Sequence, residues 1–152
     1  MHQANATSRT LPLSSPAPSV TARQREIFQS AAGRILPSDD GPGACQANVI
    51  GYFDWLTRQR FANHFLGRLM SGLDILDEFA ISRWGHGFVE CSAVQQDSVL
   101  CEIQAIPHVC TKKFFGTLIN VTIAGFLCDP KYDGNRNLVG WQSIHFNPIP
   151  GE

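Results

Sequence analysis

An all-α fold of about five helices is what this sequence predicts, and three observations carry the prediction. Apolar residues recur at intervals of three and four along most of the chain, the period of one helix face. Two stretches, Thr21 to Gln24 and Ser92 to Gln95, pair a hydroxyl with an amide three residues later, as a capping box requires. No two-residue turn joins a pair of alternating apolar and polar runs, so no β-hairpin is expected.

The first helix starts behind Thr21, with Ile27, Phe28, Ala31, Ala32 and Ile35 on one face. It stops near Leu36, because Pro37 disfavours helical geometry in the residue before it. Residues 38–43, SDDGPG, form a turn-rich loop. A second helix is predicted over residues 44–58, with Val49, Ile50, Phe53 and Leu56 aligned. A third begins near Phe61 and carries the stripe Leu66, Leu69, Met70, Leu73, Leu76 and Ala80 until Gly85, His86 and Gly87 break it. The fourth opens at Ser92, runs through Val99, Leu100 and Ile103, and closes at Pro107.

The fifth helix, residues 111–128, is apolar almost all the way round. Only Gly116, Thr117, Asn120, Thr122 and Gly125 interrupt it between Phe114 and Leu127, and none is charged. A helix apolar on every side must be covered on every side. Two arrangements satisfy that, and they are compatible: a central position in the bundle, or one flank against another protein. Irregular connections and a C-terminal arm rich in turn-formers complete the single helical domain assigned to residues 21–152. Residues 1–20, rich in Ser, Pro and Ala, are expected to form a disordered polar tail.

A chain of 152 residues suits one domain with one core. Charged residues make up 16%, against about 25% in an average soluble chain, so part of the surface is expected to face something other than water. A net charge of −1 gives no basic footprint for nucleic acid. The apolar run over residues 114–127 is shorter than the roughly 20 residues that cross a bilayer. Five cysteines, an odd number, leave at least one without an intrachain partner, and no CxxC spacing occurs. No glycine-rich phosphate loop appears, so nucleotide and flavin binding by this chain are not expected.

The arm, GFLCDPKYDGNRNLVGWQSIHFN over residues 125–147, carries the most specific pattern. Gly125, Phe126, Asp129, Pro130, Tyr132, Gly134, Asn135, Arg136, Gly140, Trp141 and Ile144 together resemble the C-terminal signature of the small subunit (subunit 3) of gluconate 2-dehydrogenase and its relatives. The loop LPSDDGPGA over residues 36–44 and the pair Phe114 and Phe115 are similar to further motifs of that family. The likeness spans residues 21–146.

The resemblance implies a non-catalytic small subunit of a membrane-associated, flavin-dependent sugar or sugar-acid dehydrogenase. Relatives include the small subunits of glucose, fructose and glucoside 3-dehydrogenases. No cofactor is implied in this chain. FAD belongs to a large partner of the glucose–methanol–choline oxidoreductase type, and haem c to a multihaem cytochrome subunit. The small subunit is implied to support folding, stability and export of the flavoprotein. A periplasmic location at the inner membrane is also implied, although no twin-arginine signal precedes Thr21. On this reading the arm packs on the larger partner, and Tyr132, Arg136, Trp141, Phe114, Phe115 and Phe126 are the candidate interface residues. Arginine offers a planar fork of donors, and Trp and Tyr are enriched where interfaces are strongest.

Other chemistry is less well encoded. Asp129 and Asp133 resemble part of a calcium loop, but the alternating carboxylates and closing glutamate are missing. The plainer reading is that Asp129 and Pro130 end the helix, Asp133 and Gly134 turn the chain, and Asn135 or Asn137 caps a short last helix. His86, Cys91, Cys101, His108 and Cys110 are the basis of an alternative, a free-standing metalloenzyme or hydrolase, yet they lack the tight paired spacing of zinc ligands. A disulfide among Cys91, Cys101 and Cys110 is open, with buried thiols expected otherwise. His64 is expected to be a partly buried helical histidine. Asp74, Asp77 and Glu78 are expected on a solvated helix flank.

Overall fold

The computed structural model describes residues 19–148, and among these the secondary structure is entirely helical. Residues 1–18 of the expected polar tail lie outside the described residues, while Val20 already packs half-buried against the core. Both capping boxes form. Thr21 Oγ1 accepts from Gln24 N at 3.0 Å while Gln24 Oε1 accepts from Thr21 N at 3.0 Å, opening α1 (Ala22–Ile35). Ser92 and Gln95 exchange the same pair of bonds at 3.2 and 3.0 Å, opening α4 (Ala93–Gln104).

Helix α2 (Val49–Thr57) starts later than the apolar spacing suggests. Residues 44–48 are turns, and Asn48 takes the left-handed conformation at φ 55°. The Asn48 side-chain amide donates to the Asp133 carbonyl at 2.8 Å, a contact with the far end of the chain. That long-range bond fixes the turn, and no local periodicity encodes it. A 3₁₀ turn, Arg60–Ala62, leads into α3 (Asn63–Trp84), which ends on left-handed Gly85 at φ 79°. Helix α5 (Val109–Leu127) begins two residues before its predicted start, because His108 Nδ1 accepts from Cys110 N at 3.2 Å and caps it. A short α6 (Val139–Ser143) closes the described chain.

Helix α5 is the centre of the bundle and touches each of the other five α-helices. Its inward residues Phe114, Phe115, Leu118, Val121 and Phe126 meet α1 to α4 in one continuous core with Phe28, Phe53, Leu66, Leu73 and Phe88. Thr122, fully buried within it, donates its hydroxyl to the Leu118 carbonyl at 2.7 Å and so needs no outside partner. The central position accounts for most of its apolar surface but not all. The flank formed by Thr117, Asn120, Ile123 and Ala124 stays open, with Ile123 42% exposed.

Arginines of α1 lace the bundle from outside. Arg23 reaches Asp77 on α3 at 2.8 Å and Glu90 at 2.7 Å, Arg25 pairs with Asp54 on α2, and Arg34 pairs with Asp97 on α4. Asp77 therefore does not lie on a merely solvated flank. It also accepts from Phe88 N at 2.8 Å and fixes the turn that follows α3. Arg23 hydrogen bonds hold the Glu90 carboxyl down to about 2.

Candidate functional site

The arm begins where α5 cannot continue. Cys128 is extended (ψ 165°) ahead of Pro130, and Asp129 Oδ1 accepts from Lys131 N at 3.0 Å to start a 3₁₀ turn over Pro130–Tyr132. Asp133, Asn135, Asn137 and Leu138 then all adopt positive φ, which reverses the chain onto its own helix end. Asn and Asp tolerate this conformation best among residues that bear a side chain.

Asn135 organises the reversal. Its side chain is 0% exposed and fully employed: Nδ2 donates to the Cys128 carbonyl at 2.9 Å, and Oδ1 accepts from Gly140 N at 2.8 Å. Its own amide donates to the Gly125 carbonyl at 2.9 Å, and the next amide, of Arg136, donates to Ala47 at 3.0 Å. The expected cap on the last helix thus exists, though Asn135 supplies it from four residues ahead of Val139, where α6 begins. Gly134 and Gly140 are required by close approach. A Cβ at Gly134 would strike the Gly125 carbonyl oxygen, and one at Gly140 would strike the Phe126 carbonyl oxygen. Trp141 Nε1 donates to the Leu127 carbonyl at 2.7 Å, satisfying one of the orphan acceptors at the end of α5.

Most of the signature is therefore spent inside the chain. Phe114, Phe115 and Phe126 are 4%, 8% and 9% exposed and belong to this chain's own core, although Phe114 also lines a surface cleft. The periodic pattern marks them as apolar without saying which way they point. Trp141 is half-buried, with its indole nitrogen engaged and its ring edge-on to Phe146 at 5.2 Å. Tyr132 is half-buried, its ring centre 4.6 Å from that of Trp55. Arg136 differs. It is exposed, and among the described residues its guanidinium makes no hydrogen bond or ion pair.

Next to the arm lies an aromatic groove. A cleft of about 290 Å³ is lined by Tyr52, Leu56, Phe61, Phe65, Thr117, Asn120, Val121 and Ala124. It runs into a wider depression of about 530 Å³ that shares Tyr52, Phe61 and Ala124 and adds Trp55, Leu127 and Tyr132. The open flank of α5 is its floor, and Phe61, 60% exposed, stands at its side. Burial pushes the Tyr52 hydroxyl and the Cys128 thiol above their ordinary ranges. Tyr52, Trp55, Phe61 and Phe65 were not singled out from sequence. None lies on the apolar stripes read from the sequence, and the groove exists only where α2, α3 and α5 meet.

The residues of the Cys/His alternative are not brought together. His108 caps α5, His86 Nε2 lies 3.4 Å from Gln95, and Cys91 is buried. Among the described residues no group of three His, Cys, Asp or Glu side chains is placed to hold a metal ion. All five cysteines are free, and Cys45, Cys101 and Cys110 are exposed rather than buried. His64 is exposed too, with Nδ1 2.6 Å from the Phe61 carbonyl. No helix among the described residues is long and apolar enough to cross a membrane.

A helical chain whose C-terminal arm is locked onto its own helix end, and which leaves an aromatic groove open beside it, has the character of a subunit that binds. Residues 22–151 match the family description of gluconate 2-dehydrogenase subunit 3, and the chain belongs to that family of small subunits of dehydrogenase complexes. No curated protein and no solved structure matches it at a significant level.

Proposed function

We propose that this chain is the non-catalytic small subunit of a flavin-dependent sugar or sugar-acid dehydrogenase, and that it supports folding, stability and export of the large subunit. The partner is a glucose–methanol–choline-type flavoprotein carrying FAD. A multihaem cytochrome c completes the assembly at the periplasmic side of the inner membrane. The groove formed by Tyr52, Trp55, Phe61 and Phe65 is the observation that carries this reading. Contiguous, partly exposed aromatics of this kind mark interaction sites, and aromatic side chains are enriched at hot spots. Tyr132 forms one wall of the groove, and Arg136 stands on the arm beside it with its donors uncommitted.

The test is co-expression with the dehydrogenase subunit, followed by isolation of the complex. The wild-type chain is expected to recover a stoichiometric complex and to raise the yield of flavin-loaded dehydrogenase. Trp55→Ala combined with Phe61→Ala is expected to reduce recovery at least about tenfold, as hot-spot truncations do. Undiminished recovery with a correctly folded double variant would refute the assignment.

A further inference from the structure

The groove is one part of a longer seam, and the seam has a charge. Helices α3 and α5 run antiparallel: Phe61 and Phe65 share the aromatic cleft with Thr117, Asn120 and Ala124, and Arg68, Gly72 and Ile75 share another with Cys110, Thr111 and Phe114. A further cleft of about 270 Å³, lined by Arg68, Gly72, Ile75, Ile103, Cys110 and Phe114, lies along the same pair of helices beyond the aromatic part. From Cys110 to Ala124 the valley runs about 21 Å, at 1.5 Å per residue of α5.

Along this length the cations of residues 60–73 and 109–127 are unpaired, whereas nearby carboxylates of the flanking helices are engaged elsewhere: Asp54 with Arg25, Glu102 with Arg83, and Asp74 accepting from Gln24 Nε2. Residues 60–73 include Arg60 and Arg68, and residues 109–127 include Lys112 and Lys113, with no Asp or Glu in either stretch. All four cations are exposed, and none has an ion pair or side-chain hydrogen bond among the described residues. Four arginines on other faces, Arg23, Arg25, Arg34 and Arg83, each hold a carboxylate within 3.2 Å, while Arg58 and Arg136 hold none among the described residues. The chain is near neutral overall, so the positive rim is a local segregation of charge.

We infer that the α3–α5 seam receives an acidic amphipathic helix of the dehydrogenase subunit, apolar on the side that enters the valley and carrying carboxylates toward Arg60, Arg68, Lys112 and Lys113. The inference rests on the reading under Proposed function and specifies its occupant. A helix fits better than an extended strand. The valley walls are helices whose backbone groups are already bonded within themselves, so a strand would leave its own N–H and C=O groups unpaired against apolar side chains. A helix about 14 residues long spans the valley. An anionic bilayer is the other chemistry that basic and apolar surface can attract, but this surface is concave, and Arg68 lines its interior.

Two measurements test the inference on the co-expressed complex. Zero-length carbodiimide coupling of the wild-type complex is expected to join Lys112 or Lys113 to Asp or Glu residues that recur at three- and four-residue spacing in one segment of the dehydrogenase subunit. Arg68→Glu with Lys113→Glu, both exposed and outside the core, is expected to raise the dissociation constant at least about tenfold at low salt, and raising the salt is expected to narrow the difference. Helical content unchanged by circular dichroism shows that the variant is folded, and the coupling result does not depend on any variant. A wild-type complex that forms while the charge-reversed variant binds equally well and neither lysine couples would overturn the inference and leave the subunit assignment standing. Failure of the wild-type chain to bind the dehydrogenase subunit would overturn both. Binding of the chain to anionic phospholipid vesicles that is lost with the same double variant, in a complex of unchanged affinity, would assign the seam to the membrane instead.

Discussion

Replacing Asn135 by glycine and by alanine separates the two ways in which this residue holds the arm. Either change removes the acceptor for Gly140 N and the donor to the Cys128 carbonyl. The first bond is buried and the second partly so, and each unpaired group left inside a fold costs about 1–3 kcal/mol. With the partly wet Cys128 carbonyl taken at the low end, Asn135→Gly is expected to cost about 3 kcal/mol. Asn135 sits at φ 48°, where glycine is at ease and alanine is strained by about 1–2 kcal/mol. Asn135→Ala is therefore expected to be the worse substitution, at about 4–5 kcal/mol. Such a loss is a third or more of the stability of many domains, roughly 5–15 kcal/mol. Urea unfolding followed by far-ultraviolet circular dichroism measures it by linear extrapolation. Where the arm detaches as a unit before the bundle melts, the loss of about 3 kcal/mol in Asn135→Gly appears as amide exchange at Gly140 accelerated about a hundredfold, because each 1.4 kcal/mol is about a factor of ten. Asn135→Gly within about 1 kcal/mol of wild type by both measurements, or alanine no worse than glycine, would refute the account of the arm.

Gly140→Ala is expected to lift α6 off the end of α5, because the new methyl group meets the Phe126 carbonyl oxygen, and limited proteolysis should then cut the arm while the bundle persists. Arg136→Ala should leave unfolding within about 0.5 kcal/mol of wild type, since its side chain bonds nothing among the described residues, and yet weaken recovery of the dehydrogenase complex. Acid titration should expose the Arg23–Glu90 contact. The folded carboxyl, held near 2 against an ordinary 4.5, contributes fully above pH 4.5, and the contribution fades as pH falls toward 2. Arg23→Gln should therefore lose part of the wild-type slope of stability against pH in that window. Thiol labelling of the native chain should modify Cys45, Cys101 and Cys110 rapidly and Cys91 slowly, in keeping with their exposure and the raised thiol of Cys91.

Reading the sequence against the structure shows where local patterns stop carrying information. The capping boxes at Thr21 and Ser92 were legible because both partners lie within one helical turn, and the bonds form at the predicted atoms. The start of α2 was misread because Asn48 is turned by a bond to Asp133, and nothing near Asn48 records that partner. Among the arm residues, Tyr132, Arg136 and Trp141 drew notice as residue types that favour interfaces. Asn135 drew notice only as a possible cap, although its buried side chain organises the whole reversal. Composition cannot tell a solvated turn asparagine from one sealed inside the fold. Phe114, Phe115 and Phe126 were recognised as apolar and assigned to a partner, while the fold turns them into its own core.

The sequence by itself determined that the chain is helical, where two of its helices begin, and which family it joins, because hydrogen bonds and apolar repeats within a few residues of one another carry that information. Only the tertiary structure decided which flank of α5 stays open, that Tyr52, Trp55, Phe61 and Tyr132 share a groove, and that Arg68 lines a cleft between α3 and α5. Those features are made by residues far apart along the chain. Their meeting is fixed by how five helices pack around one, a property that no local window contains.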